Sequence, residues 1–207
     1  MSGGATARSD VSSGRTIRYA RLAFFCALAA LLLSAIPRGV AEAQSNTAGE
    51  YEVKAAFLYN FAKFIEWPES SFPDPQSPLT ICVLGSDPFG RTLDDALQGK
   101  MIGNRPVTLE RFKNPAQARQ CHIAFVSSSE ARRLPEIQDQ LRGASVLLVG
   151  ESDGFAEAGG VLQFVLQDNR VRFVINTDAA QRADLKVSSK LLALAEVIHD
   201  PPGGKHN

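Results

Sequence analysis

The sequence predicts an α/β protein: a three-layer, Rossmann-like, mostly parallel sheet with an added C-terminal β-hairpin and helices. Three observations predict it. Short apolar runs bounded by glycine, proline or serine recur at "LTICVL" (79–84), "CHIAFVS" (121–127) and "SVLLVG" (145–150), as strands buried on both faces do. Helical patterns separate these runs, and such alternation argues for parallel pairing, right-handed crossovers and helices on both faces. The alternation stops at "GVLQFVLQDNRVRFVIN" (160–176), where two alternating runs around Asp168-Asn169-Arg170 read as a β-hairpin.

The domain does not start at Met1. Arg8, Arg15, Arg18 and Arg21 precede the apolar run Leu22–Ile36, and the small residues Ala41 and Ala43 follow it. This is the order of a signal peptide, residues 1–43, with cleavage near Ala43. An uncleaved anchor is the rival, but the run has fifteen residues where a span needs about 20. Residues 44–200 are expected to form a single domain, and 201–207 a disordered tail. Of 22 basic and 22 acidic residues, five and two lie in the leader, leaving 17 against 20. With no basic stripe, nucleic-acid binding gets no electrostatic support. A chain this long buries roughly two-thirds of its unfolded surface.

The mature chain opens on "YEVKAAFLYNFAKFIEWP", which gathers Tyr51, Phe57, Tyr59, Phe61, Phe64 and Trp67. Val53, Phe57, Phe61 and Phe64 recur at helical steps and predict a helix over 50–67, ended by Pro68. A Pro/Ser-rich loop precedes the first strand, 79–84. A short helix follows, capped near Ser86 or Asp87, with Phe89, Leu93 and Leu97 at four-residue steps and Gly99 after it. "PVTLERF" (106–112) is the second strand, "NPAQARQ" a helical turn, and 121–127 the third strand. "SEARRLPEIQDQLRG" is a helix and 145–150 the fourth strand. After the hairpin, Thr177 and Asp178 cap a helix that breaks at 184–187. A last helix is expected over 188–199, with Leu191, Leu194, Ala195 and Ile198 facing the core.

Cys26 lies in the leader; Cys82 and Cys121 remain. In an oxidising compartment an even pair reads by default as a disulfide. Free buried thiols and a metal site are the alternatives, and His122 is the only histidine near Cys121, short of the four ligands of a structural zinc site.

"GSDPFG" (85–90) has the G-x-x-x-x-G spacing of a phosphate loop, yet Arg91 and Thr92 stand where Lys and Ser/Thr belong, and turn geometry explains its glycines. Glu151 and Asp153, after the fourth strand, have the chemistry of general acid–base groups. No nucleophile with a base accompanies them, and no G-x-S-x-G elbow exists. Ser127, Ser128 and Ser129 read as helix caps. Asn176 reads as a turn or cap, and Arg170 and Arg172 either face a partner or wet the hairpin's outer face. No catalytic set, metal or cofactor is expected. Gly85, Gly90, Ser127, Glu151, Asp153 and Asn176 form the expected pocket of an alternative function, small-molecule binding at the sheet's carboxyl edge.

Several stretches together resemble the YfiR family of exported proteins: "YEVKAAFLYNFAKFIEWP" (51–68), "ICVLG" (81–85), "GKMIGNRPV" (99–107), "CHIAFV" (121–126), "VLLVGE" (146–151) and "VRFVINTDAAQRADLKVSSKLLALAEVI" (171–198). The resemblance covers essentially the whole mature chain. It implies a periplasmic, non-enzymatic repressor that binds the periplasmic sensor domain of an inner-membrane diguanylate cyclase, or a related sensor kinase. It also implies sequestration by an OmpA-like outer-membrane lipoprotein. The long-range cysteine pair of the family falls on Cys82 and Cys121. A second pair, expected near 155–165, has no counterpart here, so redox behaviour depending on it is not implied.

A partner-binding protein can expose rings on its first helix. The expectation is that Phe57, Phe61, Phe64 and Ile65 pack in the core. Tyr51, Leu58, Tyr59 and Trp67 then face a partner or a second copy. The alternative is a helix buried on both faces.

Overall fold

The computed structural model describes residues 39–200, with side chains from Thr47 onward. The expected leader up to residue 38 and the tail 201–207 lie outside the described residues.

Helix α1, Gly39–Phe64, carries the aromatic segment. Ala55, Leu58, Phe61 and Ala62 are its buried apolar residues, spaced to fall on one face, with Lys54 buried beside them and Ile65 buried just past its end. Burying each large apolar side chain is worth roughly 1.5–3 kcal/mol. The helix ends three residues before the expected Trp67. Ile65–Glu66 instead forms strand β1, paired antiparallel with β9, Lys186–Val187. The amide of Ser188 also donates to the Phe64 carbonyl at 2.9 Å, so a partner distant in sequence ends the helix before Pro68 can.

The main sheet contains β2 (Leu79–Leu84), β3 (Met101–Ile102), β4 (Arg105–Phe112), β5 (Ile123–Val126), β6 (Leu147–Gly150), β7 (Leu162–Gln167), β8 (Arg170–Asn176) and β10 (Glu196–Ile198). Their order is β10-β8-β7-β6-β5-β2-β4-β3. Strands β4, β2, β5, β6 and β7 run parallel. In chain order this is the doubly wound pattern 2-1-3-4-5, whose switch point lies between β2 and β5. The β3–β4 and β7–β8 pairs are antiparallel. Helices α2 (Arg91–Leu97), α3 (Leu134–Leu141), α4 (Thr177–Arg182) and α5 (Ser189–Leu192) complete the described set. The result is a mixed α/β, three-layer fold around a largely parallel sheet.

Strands β2, β5 and β6 are almost wholly buried, as their unbroken apolar runs predict. At the hairpin turn Asp168 and Asn169 have φ of 49° and 59°. Two successive left-handed residues make a turn that matches strand twist, and Asp and Asn tolerate that conformation.

The C-terminus corrects the expected last helix. Only Ser189–Leu192 is helical, and Glu196–Ile198 adds a strand parallel to Val174–Asn176. Leu191 is buried, whereas Leu194 is 69% exposed. The open edge of β8 offers hydrogen bonds that a four-residue helix, too short to be stable alone, does not outweigh. The short strand β3 lies before the expected second strand at 106–112 and pairs Met101 with Pro106 and Ile102 with Arg105.

Candidate interaction surface

The rings of α1 are tied to the domain by their polar atoms. Tyr51 Oη donates to Glu151 at 3.1 Å, Tyr59 Oη to the Met101 carbonyl at 3.2 Å, and Trp67 Nε1 to the His122 carbonyl at 3.2 Å. All three remain half-buried. Leu58 does not: it is 0% exposed, which removes it from any partner surface. Its register on α1 puts it between Ala55 and Ala62, on the stripe that meets the sheet. Phe61 and Ile65 are buried as expected, while Phe57 and Phe64 are half-buried.

Above the carboxyl end of β6 the helix carries a buried charge. Lys54 is 5% exposed, and its Nζ lies 2.6 Å from Glu151 Oε2, with Glu50 as a second carboxylate partner. The same ammonium sits 4.6 Å from the centre of the Tyr51 ring. Burial, and then the adjacent Glu151 carboxylate, push the Tyr51 phenol above its usual range. Glu151 is therefore a structural counter-ion. Asp153 is exposed and shares none of these contacts.

The crevice at the switch point is filled. The Ser86 amide donates to Ser129 Oγ at 3.0 Å, and Ser129 Oγ lies 3.1 Å from Ser127 Oγ. Gly85 has φ of +96°, and a Cβ there would stand 2.5 Å from Glu130 Cγ. The Phe89 ring packs 4.8 Å from Phe125 and 5.3 Å from Tyr51. Ser127 thus caps the helical turn Ser128–Arg133, as expected, and Gly90 is an exposed turn residue.

Asn176 lies apart from this edge because β8 runs antiparallel. It is fully buried. Its Nδ2 donates to the Ala156 carbonyl and to Asp200, both at 2.9 Å, and its Oδ1 accepts from the Ala179 amide. Asn176 caps α4 and braces the 151–160 loop. That loop is packed rather than open: Phe155 is 2% exposed, and a Cβ on Gly160 would lie 2.2 Å from its ring.

None of the six expected pocket residues lines either of two clefts formed among the described residues. One, of about 590 Å³, lies between α3 and α4 over Leu148 and Val161. The other, of about 490 Å³, lies at the amino edge beside Ser71, Arg119 and His122. His122 there is 7% exposed. Its Nδ1 accepts from the Thr80 amide at 3.1 Å, its Nε2 lies 3.2 Å from the Ser71 carbonyl, and it stacks on Phe72 at 4.3 Å. Burial holds its pKa below the ordinary value. The expected pair Cys82–Cys121 is disulfide-bonded.

Of the large apolar side chains exposed among the described residues, Val53, Met101, Leu166, Leu194 and Val197, two lie on α1 and the β7–β8 hairpin. Phe57 lies 6.2 Å from Phe164 and 5.4 Å from Phe173, ring to ring. Phe164 faces Phe173 across the hairpin, and the next pair on that face is Leu166 with Val171. One turn back on α1 stands Val53. Val53 is 43% and Leu166 55% exposed, beside half-buried Phe57 and Val171. Sequence reasoning missed Val53, Leu166 and Lys54 in these roles. Lys54 alone left a readable sign, a single charge beside Ala55 on the helix's buried stripe.

Fold and side chains define the class: a disulfide-closed, three-layer α/β domain with exposed and half-buried apolar side chains on its first helix and on its β7–β8 hairpin. The chain belongs to the YfiR/HmsC-like family, whose profile matches residues 51–196. This is a non-enzymatic regulatory family, typically periplasmic and associated with diguanylate cyclases and cyclic di-GMP signalling. Two solved structures are similar. One is the ABC domain in complex with L-Trp from Streptococcus pneumoniae, at 14% identity and a TM-score of 0.45 over 57% of this chain and 55% of that one. The other is a conserved domain protein from Vibrio cholerae O1 biovar El Tor, at 11% identity and a TM-score of 0.45 over 57% and 54%. The match thus spans about half the length of each of those structures.

Proposed function

We propose that this protein is a periplasmic regulator that binds the periplasmic sensor domain of an inner-membrane diguanylate cyclase, or a related sensor kinase, and holds cyclic di-GMP synthesis down. It acts by occupancy: it stabilises whichever sensor state it binds more tightly, here the inactive one. Competition from an OmpA-like outer-membrane lipoprotein releases the sensor. The observation that carries the reading is the patch of Val53, Leu166, Phe57 and Val171. Exposed contiguous apolar surface marks contact sites, and half-buried Tyr51 and Tyr59 on the same helix, with Trp67 just beyond it, add aromatic area. Arg170 and Arg172 supply a polar rim.

The test is co-expression of the full chain with a membrane-bound diguanylate cyclase that carries a periplasmic sensor domain, with cyclic di-GMP measured in extracts. A fall in cyclic di-GMP, together with calorimetric binding of the purified domain to the isolated sensor domain, supports the reading. An unchanged level with the protein exported and folded overturns it.

A second reading, small-molecule binding, is favoured by the cleft of about 590 Å³ between α3 and α4, a size suited to a small ligand. Competition of a ligand with the sensor domain for the protein would tie the two readings together.

A further inference from the structure

We infer that the tip of the β7–β8 hairpin, residues 165–172, is a two-faced docking arm for an acidic protein surface. Arg170 and Arg172 take its carboxylates on one face while Leu166 and Val171 make apolar contact on the other. The inference rests on the proposed binding function and names the chemistry of the partner.

The arm stands clear of its neighbours. β6 pairs with β7 only at Leu162 and Gln163, and β10 pairs with β8 only at Val174–Asn176. Beyond those residues the hairpin has no further strand on either side among the described residues. Its turn is set by two left-handed residues, Asp168 and Asn169, so the arm is preorganised and little ordering is lost on contact.

Its two faces differ in chemistry. Side chains alternate along a strand, so Leu166 and Val171 share the face of Phe164 and Phe173, toward α1. Arg170 and Arg172 project from the other face, where their cross-strand partners are Gln167 and Val165. Two positions on one strand face stand about 7 Å apart, close enough for both guanidiniums to meet one cluster of carboxylates. Both arginines are exposed, and neither has an ion pair or hydrogen bond among the described contacts. In contrast, Arg111, Arg133, Arg142 and Arg182 each hold a carboxylate of this same chain. Guanidinium forks match carboxylates in geometry and stay charged at any physiological pH.

A protein carboxylate is favoured over phosphate. The mature chain is net acidic, with 17 basic against 20 acidic residues. Long-range attraction to a nucleic acid or an anionic membrane is therefore absent, and an arm with two arginines on one face and an apolar pair on the other suits a mixed protein surface.

The test uses the full chain co-expressed with its membrane cyclase, comparing wild type with Arg170→Glu/Arg172→Glu and with Leu166→Asp, and the purified domain with the isolated sensor domain. Wild type lowers cyclic di-GMP; each variant fails to. Affinity for the sensor domain drops at least about tenfold in the charge-reversed variant. In wild type the affinity weakens from low to high salt, and in Arg170→Gln/Arg172→Gln this dependence flattens. Unchanged thermal midpoints verify that the variants fold. Repression by the charge-reversed variant equal to wild type overturns the inference and leaves the proposed function standing. A wild type that represses nothing overturns both. Arginine-dependent binding to phosphatidylglycerol vesicles with unchanged sensor affinity assigns the arm to lipid and overturns the protein partner.

Discussion

The Lys54 ammonium meets the Glu151 carboxylate at 2.6 Å across 97 positions of sequence, with 7% and 10% of the two side chains exposed. This pair fastens the first helix to the carboxyl end of β6. Removing one partner strands a buried charge. Lys54→Met leaves Glu151 with the Tyr51 hydroxyl alone and is expected to cost about 3 kcal/mol. The double variant Lys54→Met/Glu151→Leu recovers most of that loss, since replacing both charges by apolar groups is close to neutral. Urea denaturation of the three proteins measures the difference; a single variant as stable as wild type contradicts the structural role.

Leu58 and Leu166 separate core from surface. Leu58 is 0% and Leu166 55% exposed. Leu58→Ala is expected to destabilise by about 2–5 kcal/mol. Leu166→Ala stays within about 0.5 kcal/mol of wild type while weakening sensor binding. Thermal melts beside calorimetry show whether the two effects divide in this way.

The Cys82–Cys121 bond closes a separation of 39 residues. Restricting the unfolded chain by a loop of that length is worth about 4 kcal/mol. Cys82→Ser/Cys121→Ser, or wild type under reductant, is expected to lose about that much in urea titration. Equal midpoints with and without reductant would show that the bond contributes nothing.

His122 makes stability fall in acid. Its folded pKa is depressed by burial, so the unfolded chain binds a proton more readily. Its contribution is complete above the ordinary value near 6.5 and is lost as pH falls through the depressed folded pKa. The urea midpoint is expected to drop as pH falls below about 6.5, and the drop shrinks in His122→Asn. An identical slope in that variant assigns the acid sensitivity to other groups.

The sheet was legible because its strands are buried on both faces. β2, β5 and β6 need unbroken apolar runs, and such runs between glycine, proline and serine have few other readings. Hairpin alternation gave β7 and β8 in the same way. The last element was not legible. "SSKLLALAEVI" fits a helix by local period, and only the free edge of β8 makes a strand of Glu196–Ile198. The end of α1 was similar, since Val187 and Lys186 pair with Ile65 and Glu66 from 122 and 120 positions away.

The candidate site divides along the same line. Arg170 and Arg172 were readable as exposed because alternation puts them opposite the apolar face of a hairpin. The carboxyl-edge pocket was a fair expectation from topology, yet Ser129, Glu130 and Phe89 fill it, and no sequence pattern says which side chain occupies a crevice. Leu58 lies one residue from Tyr59 and about two turns from Tyr51 on a helix whose rings run nearly all round, so its burial depends on where the sheet lies.

Local covalent and periodic constraints are written in one dimension. Composition, cysteine parity, strand hydrophobicity and turn chemistry therefore determined export, disulfide and fold class as expectations from this sequence alone. Which rings stay half exposed, which lysine is buried against which glutamate, and where the apolar patch assembles were decided only in tertiary structure. Each of these depends on surfaces brought together from segments about a hundred residues apart, as Lys54 and Glu151 are, and their energies exist only once those surfaces meet.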